Sequence, residues 1–151
     1  MFFGLCQWVL GQITAKTAVI TAAEIRAYQN DPSLENDFVV VDVRSKAETD
    51  ISMIPGALTK SEFEKTANQH RGKLVITYCT IGLRSGSYAS SLIQQGWQAM
   101  NYEGSVLDWC QNKLPLMADG RETIKVHTYN QRYSAPENLS LIHISEPTRP
   151  Y

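Results

Sequence analysis

The chain has 151 residues, the size of one ordinary domain, and 43% of them are hydrophobic, enough to fill a core. Its 14 Lys and Arg against 15 Asp and Glu leave a net charge of -1. That balance gives no electrostatic footprint for nucleic acid or an anionic membrane surface, and no stretch approaches the ~18 apolar residues of a membrane span. The 3 cysteines, Cys6, Cys79 and Cys110, are too few and too widely spaced for a disulfide framework or a CxxC metal pair. They suit a reducing compartment, so a cytoplasmic location is expected.

The first piece, 1–15, carries MFFGLCQWVLGQ, which is apolar but short, lacks a basic start and is interrupted by Gln7. It reads as a packed or frayed N-terminal segment, with a secretory signal as the alternative. Ala18 to Thr21 is β-prone. Thr21-Ala-Ala-Glu24 is a capping-box pattern, and Ile25 and Tyr28 follow at helical spacing until Asp31-Pro32-Ser33 stops the helix. FVVVDVR, Phe38 to Arg44, is a β-branched run that suits a strand buried on both faces of a parallel sheet. Ile54 to Leu58 is a turn into a very short strand, and Ser61-Glu-Phe-Glu64 is a second capping box that opens a helix to about Gln69.

KLVITYC is another buried strand, ending on Cys79. A helix is expected from Ser85 to Gln95, with Gly96 as its stop, then a strand from Ala99 to Tyr102, a break at Gly104 and a short helix from Val106 to Cys110. Alternating strands and helices predict an α/β domain over residues 16–117 around a parallel sheet. Residues 118–138 are polar, with one β-prone patch at Ile124 to Tyr129, and read as an extension lying on that domain. Within 139–151, LSLIHISEPTR resembles a translated sequencing adapter. That segment is read as an artefactual tail and set aside, and His143 with it.

Chemistry concentrates after the third long apolar run. In an open α/β sheet ligands bind at the carboxyl ends of strands. Cys79 stands at such an end, before a loop that enters a helix. Loop amides and the positive end of the helix dipole would form an anion cradle that lowers the thiol pKa and favours the nucleophilic thiolate. Gly82 permits a positive φ, and Arg84 adds a permanent cation. His70 and His127 read as surface or structural residues, so activation by the cradle is preferred over a Cys/His dyad. The bland alternative is a buried strand-end cysteine beside an ordinary helix start.

Taken together, CTIGLRS at 79–85, VVVDVR at 39–44, Glu48 followed by SMIPGAL, and YEGSVLDW at 102–109 with LPL at 114–116 resemble, in order, the motifs of rhodanese-like sulfurtransferases. The resemblance implies a central five-stranded parallel sheet with helices on both faces. It also implies that Cys79 takes sulfane sulfur as a persulfide, with Thr80, Ile81, Gly82, Leu83, Arg84 and Ser85 binding substrate. Asp42 and Arg44 would support the rim, more as a structural ion pair than as catalysts. Trp109 reads as a core plug, and Cys110 as a bystander and not a resolving thiol.

The implied partners are a small anionic sulfur donor or a protein persulfide, and a cyanide or thiol acceptor, acting on a monomer that needs no metal or organic cofactor. Met53 stands where the family usually has His, and Ser105 at its usual second Gly. Both lie outside the loop, so local adjustment is expected and not loss of chemistry. Thr80 occupies a position that thiosulfate-using members often fill with Arg, which favours a persulfide donor. Two rivals remain. A non-catalytic binding module is disfavoured by Cys79 with Gly82 and Arg84. A phosphatase of the same fold needs C-x5-R, and Cys79 to Arg84 is C-x4-R.

Overall fold

In the computed structural model, which describes residues 17–128 and 140–142, five strands form one parallel sheet. They are β1 (Ala18–Val19), β2 (Phe38–Asp42), β3 (Leu58–Thr59), β4 (Leu74–Tyr78) and β5 (Gln98–Asn101), in the order β1-β5-β4-β2-β3. The alternation of side chains along β2 and β4 builds a core on each face. Val40, Ile76 and Tyr78 pack with Ile25 of α1 (Ala22–Asn30) and with Val106 and Trp109 of α5 (Ser105–Gln111). Val39, Val41 and Val75 pack on the other face with Phe63 of α3 (Lys60–Lys65) and Leu92 of α4 (Leu83–Gln94). The expected five-stranded parallel sheet with helices on both faces is therefore present.

Two local starts differ from the sequence reading. Helix α3 is capped by Thr59 with Glu62, two residues before the Ser61/Glu64 box. Thr59 is the last residue of β3, so the helix begins as soon as the chain leaves the sheet. Helix α4 begins at Leu83 and not Ser85, because Gly82 at φ 88 turns the chain directly from loop to helix. A four-residue helix absent from the sequence reading, α2 (Lys46–Thr49), is held by the reciprocal cap of Ser45 and Glu48.

After α5, β6 (Leu116–Ala118) and β7 (Arg121–Thr123) form an antiparallel hairpin, and Met117 bridges to Met53 through paired bonds of 2.9 Å. Strand β8 (Lys125–His127) buries Val126 in the α1/α5 core and pairs in parallel with β9 (Ser140–Ile142). The expected N-terminal segment, Cys6, the end of the extension and all of the tail but β9 lie outside the described residues. No helix among the described residues is long and apolar enough to cross a membrane.

The topology decides where a site can form. Strands β2 and β4 are neighbours with Asp42 beside Tyr78, yet the chain leaves β2 toward β3 and leaves β4 toward β5. Connections departing in opposite directions open a crevice between the two carboxyl ends. Cys79 follows one of those ends, and Arg44 to Glu48 follow the other.

Candidate active site

Cys79 is buried where β4 ends, and its sulfur lies in the turn that starts α4. The Gly82 amide donates to Sγ at 3.1 Å and the Ser85 hydroxyl at 3.5 Å. Burial pushes the thiol pKa up, but the Ser85 hydroxyl and the amides of Ser85, Ile81 and Gly82 outweigh it, and the net shift is downward. The twelve-residue helix adds the positive end of its dipole in the same place.

These amides face the sulfur because the loop carbonyls are tied elsewhere. The Cys79 carbonyl accepts from the Val106 amide at 3.1 Å and the Thr80 carbonyl from the Leu107 amide at 3.3 Å, both in the first turn of α5. Asn101 Nδ2 donates to the Gly82 carbonyl at 3.1 Å, and Thr77 Oγ1 to the Ser85 carbonyl at 3.0 Å. At Gly82 a Cβ would run into the Glu103 carbonyl, so a positive φ and a close backbone approach both demand glycine there.

Arg84 lies in the first turn of α4, and its guanidinium is engaged. Nη1 and Nη2 each donate to Glu48 at 2.9 Å, a bidentate fork, and Nη2 also donates to Thr80 Oγ1 at 3.0 Å. The Thr80 hydroxyl donates in turn to Glu48 at 3.2 Å, so this side chain braces the fork. Glu48 also accepts from the Ser45 amide and hydroxyl at 2.9 and 2.8 Å. Burial would raise its pKa, but the Arg84 and Ser45 bonds prevail and hold it down at about 2. The Arg84 side chain remains 38% exposed. Leu83 is 74% exposed beside it, while Ile81 is half-buried.

Asp42 and Arg44 form a separate, sealed pair. Arg44 donates to both Asp42 oxygens, at 2.9 Å from Nε and 2.7 Å from Nη2, and Nη2 donates to the Ser52 carbonyl at 2.6 Å. Its guanidinium lies 5.7 Å from the centre of the Tyr78 ring, whose hydroxyl accepts from the Ile54 amide at 3.0 Å. The pair fixes the β2 end to the loop before β3. Trp109 is fully buried and donates from Nε1 to the Pro115 carbonyl at 2.8 Å, as a core plug would. Cys110 is also fully buried, and burial raises its pKa to about 11, opposed by Arg44. His70 packs on Phe63 before β4, at the amino end of the sheet and so far from Cys79.

Two residues of the site were not assigned to it from the sequence. In the sequence Glu48 stands out only as part of a motif, although Ser45-x-x-Glu48 is itself a legible capping box. Ser105 stands outside the 79–85 loop in the sequence, where only a local adjustment is expected. Its hydroxyl instead accepts from the Cys79 amide at 3.0 Å and lies 4.0 Å from Cys79 Sγ. Among the described residues no cluster of His, Cys, Asp or Glu is arranged to hold a metal ion.

The rhodanese-like domain family matches residues 21–112, which include every residue described around Cys79. A sulfurtransferase from Allochromatium vinosum is 33% identical over 92 residues, covering 54% of this chain and 80% of that protein. Among solved structures, a rhodanese-related protein from Thermoplasma volcanium aligns at TM-score 0.57 and 23% identity, covering 68% of this chain and 99% of that one. A thiosulfate sulfurtransferase from Pseudomonas aeruginosa aligns at TM-score 0.58 and 20% identity, covering 70% of this chain and 21% of that one. A Rhodopseudomonas palustris protein described as a possible tyrosine phosphatase aligns at TM-score 0.56 and 23% identity, covering 67% and 85%. At these identities the solved structures speak for the fold alone. With the family match spanning most of the chain and its motifs gathered at one end of one sheet, the chain belongs to the rhodanese-like domain family.

Proposed function

We propose that the chain is a sulfurtransferase that moves sulfane sulfur from thiosulfate or a persulfide donor to cyanide or a thiol acceptor through a Cys79 persulfide. The observation that carries this reading is the Cys79 sulfur, lowered in pKa by the Ser85 hydroxyl and three amides. The similarity to the Allochromatium vinosum sulfurtransferase supports the reaction class.

The steps balance without a cofactor. The Cys79 thiolate attacks the outer sulfur of thiosulfate, a new S–S bond forms, and the old one breaks with its electron pair leaving on sulfite. The negative charge then sits on the outer persulfide sulfur, where amides of the turn can meet it, with the Arg84 cation in the first turn of α4 adding to the positive field. Cyanide attacks that sulfur, thiocyanate departs, and the Cys79 thiolate returns. A thiol acceptor would attack the same atom as its thiolate and leave as a persulfide. The Glu48 carboxylate already neutralises much of Arg84, and Thr80 adds no cation. A doubly charged donor therefore depends on Arg84 alone, with no second cation in the loop to help it, which favours a persulfide carried by a thiol, small or on a protein.

The test is thiocyanate formation from thiosulfate and cyanide, run beside hydrolysis of p-nitrophenyl phosphate, with mass spectrometry of the donor-treated protein. One added sulfur atom on Cys79, absent in Cys79→Ser, and thiocyanate without phosphate release are the expected results. Phosphate release without sulfur transfer would overturn the reading in favour of the phosphatase. Absence of both activities, with no sulfur on Cys79 from either donor class, would favour a binding module.

A further inference from the structure

Ser105 has an unusual backbone and unusual neighbours. It is fully buried, it opens α5, and its φ is 53, a left-handed conformation that a side chain with a Cβ rarely adopts. Such a conformation costs roughly 1 kcal/mol or more against glycine and persists when the surroundings hold it. Here they do so through the hydroxyl. Ser105 Oγ donates to the Tyr102 carbonyl at 2.8 Å and accepts from the Cys79 amide at 3.0 Å. The single hydroxyl proton is thus spent on Tyr102, and a lone pair faces Cys79. Two bonds from the following turn, the amides of Val106 and Leu107 to the carbonyls of Cys79 and Thr80, run alongside.

We infer that Ser105 is a positioning residue for the Cys79 thiolate: its hydroxyl pins the Cys79 amide at the end of β4, and so sets the sulfur within reach of the Gly82 amide and the Ser85 hydroxyl. The inference rests on the sulfurtransferase reading for its catalytic consequence, though not for its effect on the thiol. The geometry behind it is specific. The Cys79 amide is the first donor past the sheet, and the chain turns there through only three residues, Thr80 to Gly82, before α4 begins. A Cys79 main chain released at that point can swing, and Sγ is the atom displaced most. The Ser105 oxygen also stands 4.0 Å from Sγ, so its loss would leave space beside the sulfur.

Two substitutions separate the hydroxyl from the backbone. Ser105→Gly removes the hydroxyl and relieves the left-handed φ, whereas Ser105→Ala removes the hydroxyl and keeps the Cβ. The readouts are thermal unfolding, the pH midpoint of Cys79 alkylation by iodoacetamide, and kcat and KM for sulfur transfer from thiosulfate to cyanide. Alkylation of Cys79 is followed by peptide mass spectrometry, so Cys6 and Cys110 do not interfere.

The expected result is an unfolding midpoint that falls less for Ser105→Gly than for Ser105→Ala, because both leave the Cys79 amide unpaired and only glycine relieves the φ, with an alkylation midpoint raised by about half a pH unit or more in both variants. In both, kcat falls about threefold to tenfold while KM for thiosulfate changes less than about twofold. A folded Ser105→Gly with the original alkylation midpoint would overturn the inference, since serine would then only occupy a glycine position. A shift in Ser105→Gly without one in Ser105→Ala would also overturn it, because the Cβ and not the hydroxyl would be responsible. If the unsubstituted chain transfers no sulfur, the functional reading fails, and the alkylation midpoints still judge Ser105 by themselves.

Discussion

The carboxyl end of the sheet carries two arginine–carboxylate forks that differ in what the cation is left to do. Asp42 and Arg44 have fully buried side chains, 0% exposed on both sides. In the second fork the Glu48 side chain is 3% exposed and the Arg84 side chain 38% exposed. Both forks use bidentate geometry, which fixes direction as well as charge. The first ties together elements that follow β2, and its charges have nowhere else to go. The second joins α2 to the first turn of α4, in the turn that follows Cys79, and its cation is only partly buried. Sealing makes an ion pair a structural brace, and partial sealing makes it an adjustable edge of a site.

The sharpest break of that contrast is at Asp42. Removing one partner of a buried pair strands the other charge, at a cost of roughly 3–5 kcal/mol. Asp42→Ala should therefore lower stability by about that amount in urea unfolding, and Arg44 makes it worse because its Nη1 is already buried without a hydrogen-bond partner. A loss under about 1 kcal/mol would show that Arg44 escapes to water, and that the fork is not sealed in solution.

The Glu48 fork should instead show itself through pH. Its pKa falls from 4.5 to about 2 on folding, which corresponds to roughly 3 kcal/mol of linked stability. The sign follows from the depressed folded value. The contribution is fully present above about pH 4.5 and is lost as pH falls toward 2. Urea unfolding between about pH 6 and 2 should give a steeper acid decline in the native chain than in Glu48→Gln. Parallel declines would mean that other carboxylates carry the acid response.

How far these differences were legible in the sequence follows from their range. Asp42 and Arg44 are two residues apart at a strand end, and their pairing was expected. Cys79, Gly82 and the strand–turn–helix context were equally visible, because the turn is local. The partnership of Arg84 with Glu48 spans 36 residues. It depends on β2 and β4 becoming neighbours, which no local spacing records. Ser105 reaches Cys79 across 26 residues for the same reason. The start of α3 was misplaced because Thr59/Glu62 and Ser61/Glu64 offer the same pattern in overlapping frames. The end of β3, a tertiary feature, selects the first.

At Arg84 the two roles of the second fork can be separated by donor. Arg84→Ala should raise KM for thiosulfate about tenfold, while a thiol-borne persulfide donor should lose less than about threefold. Arg84→Lys should fall between, since an ammonium keeps the charge and loses the fork. Equal losses for both donors would assign Arg84 to bracing Glu48 and Thr80 alone. The edge of the site would then be as structural as the Asp42 pair.

The smallest effect is expected at a third pair, and it bears on why the second fork holds. Lys46 and Asp50 lie on and beside α2 with Nζ 2.7 Å from the carboxylate, yet their side chains are 85% and 57% exposed. An exposed pair four residues apart contributes about 0.3–0.5 kcal/mol, and less in salt. Lys46→Ala should therefore change stability by no more than about 0.5 kcal/mol and leave sulfur transfer unaltered. The reason is that α2 is oriented from inside, by the Ser45 amide and hydroxyl on Glu48, and not from its outer face. A loss above about 1 kcal/mol, accompanied by a weaker acid dependence, would reverse that order. Four residues of helix would then rely on their surface to keep Glu48 under Arg84, and the exposure of a pair would no longer predict its weight at this end of the sheet.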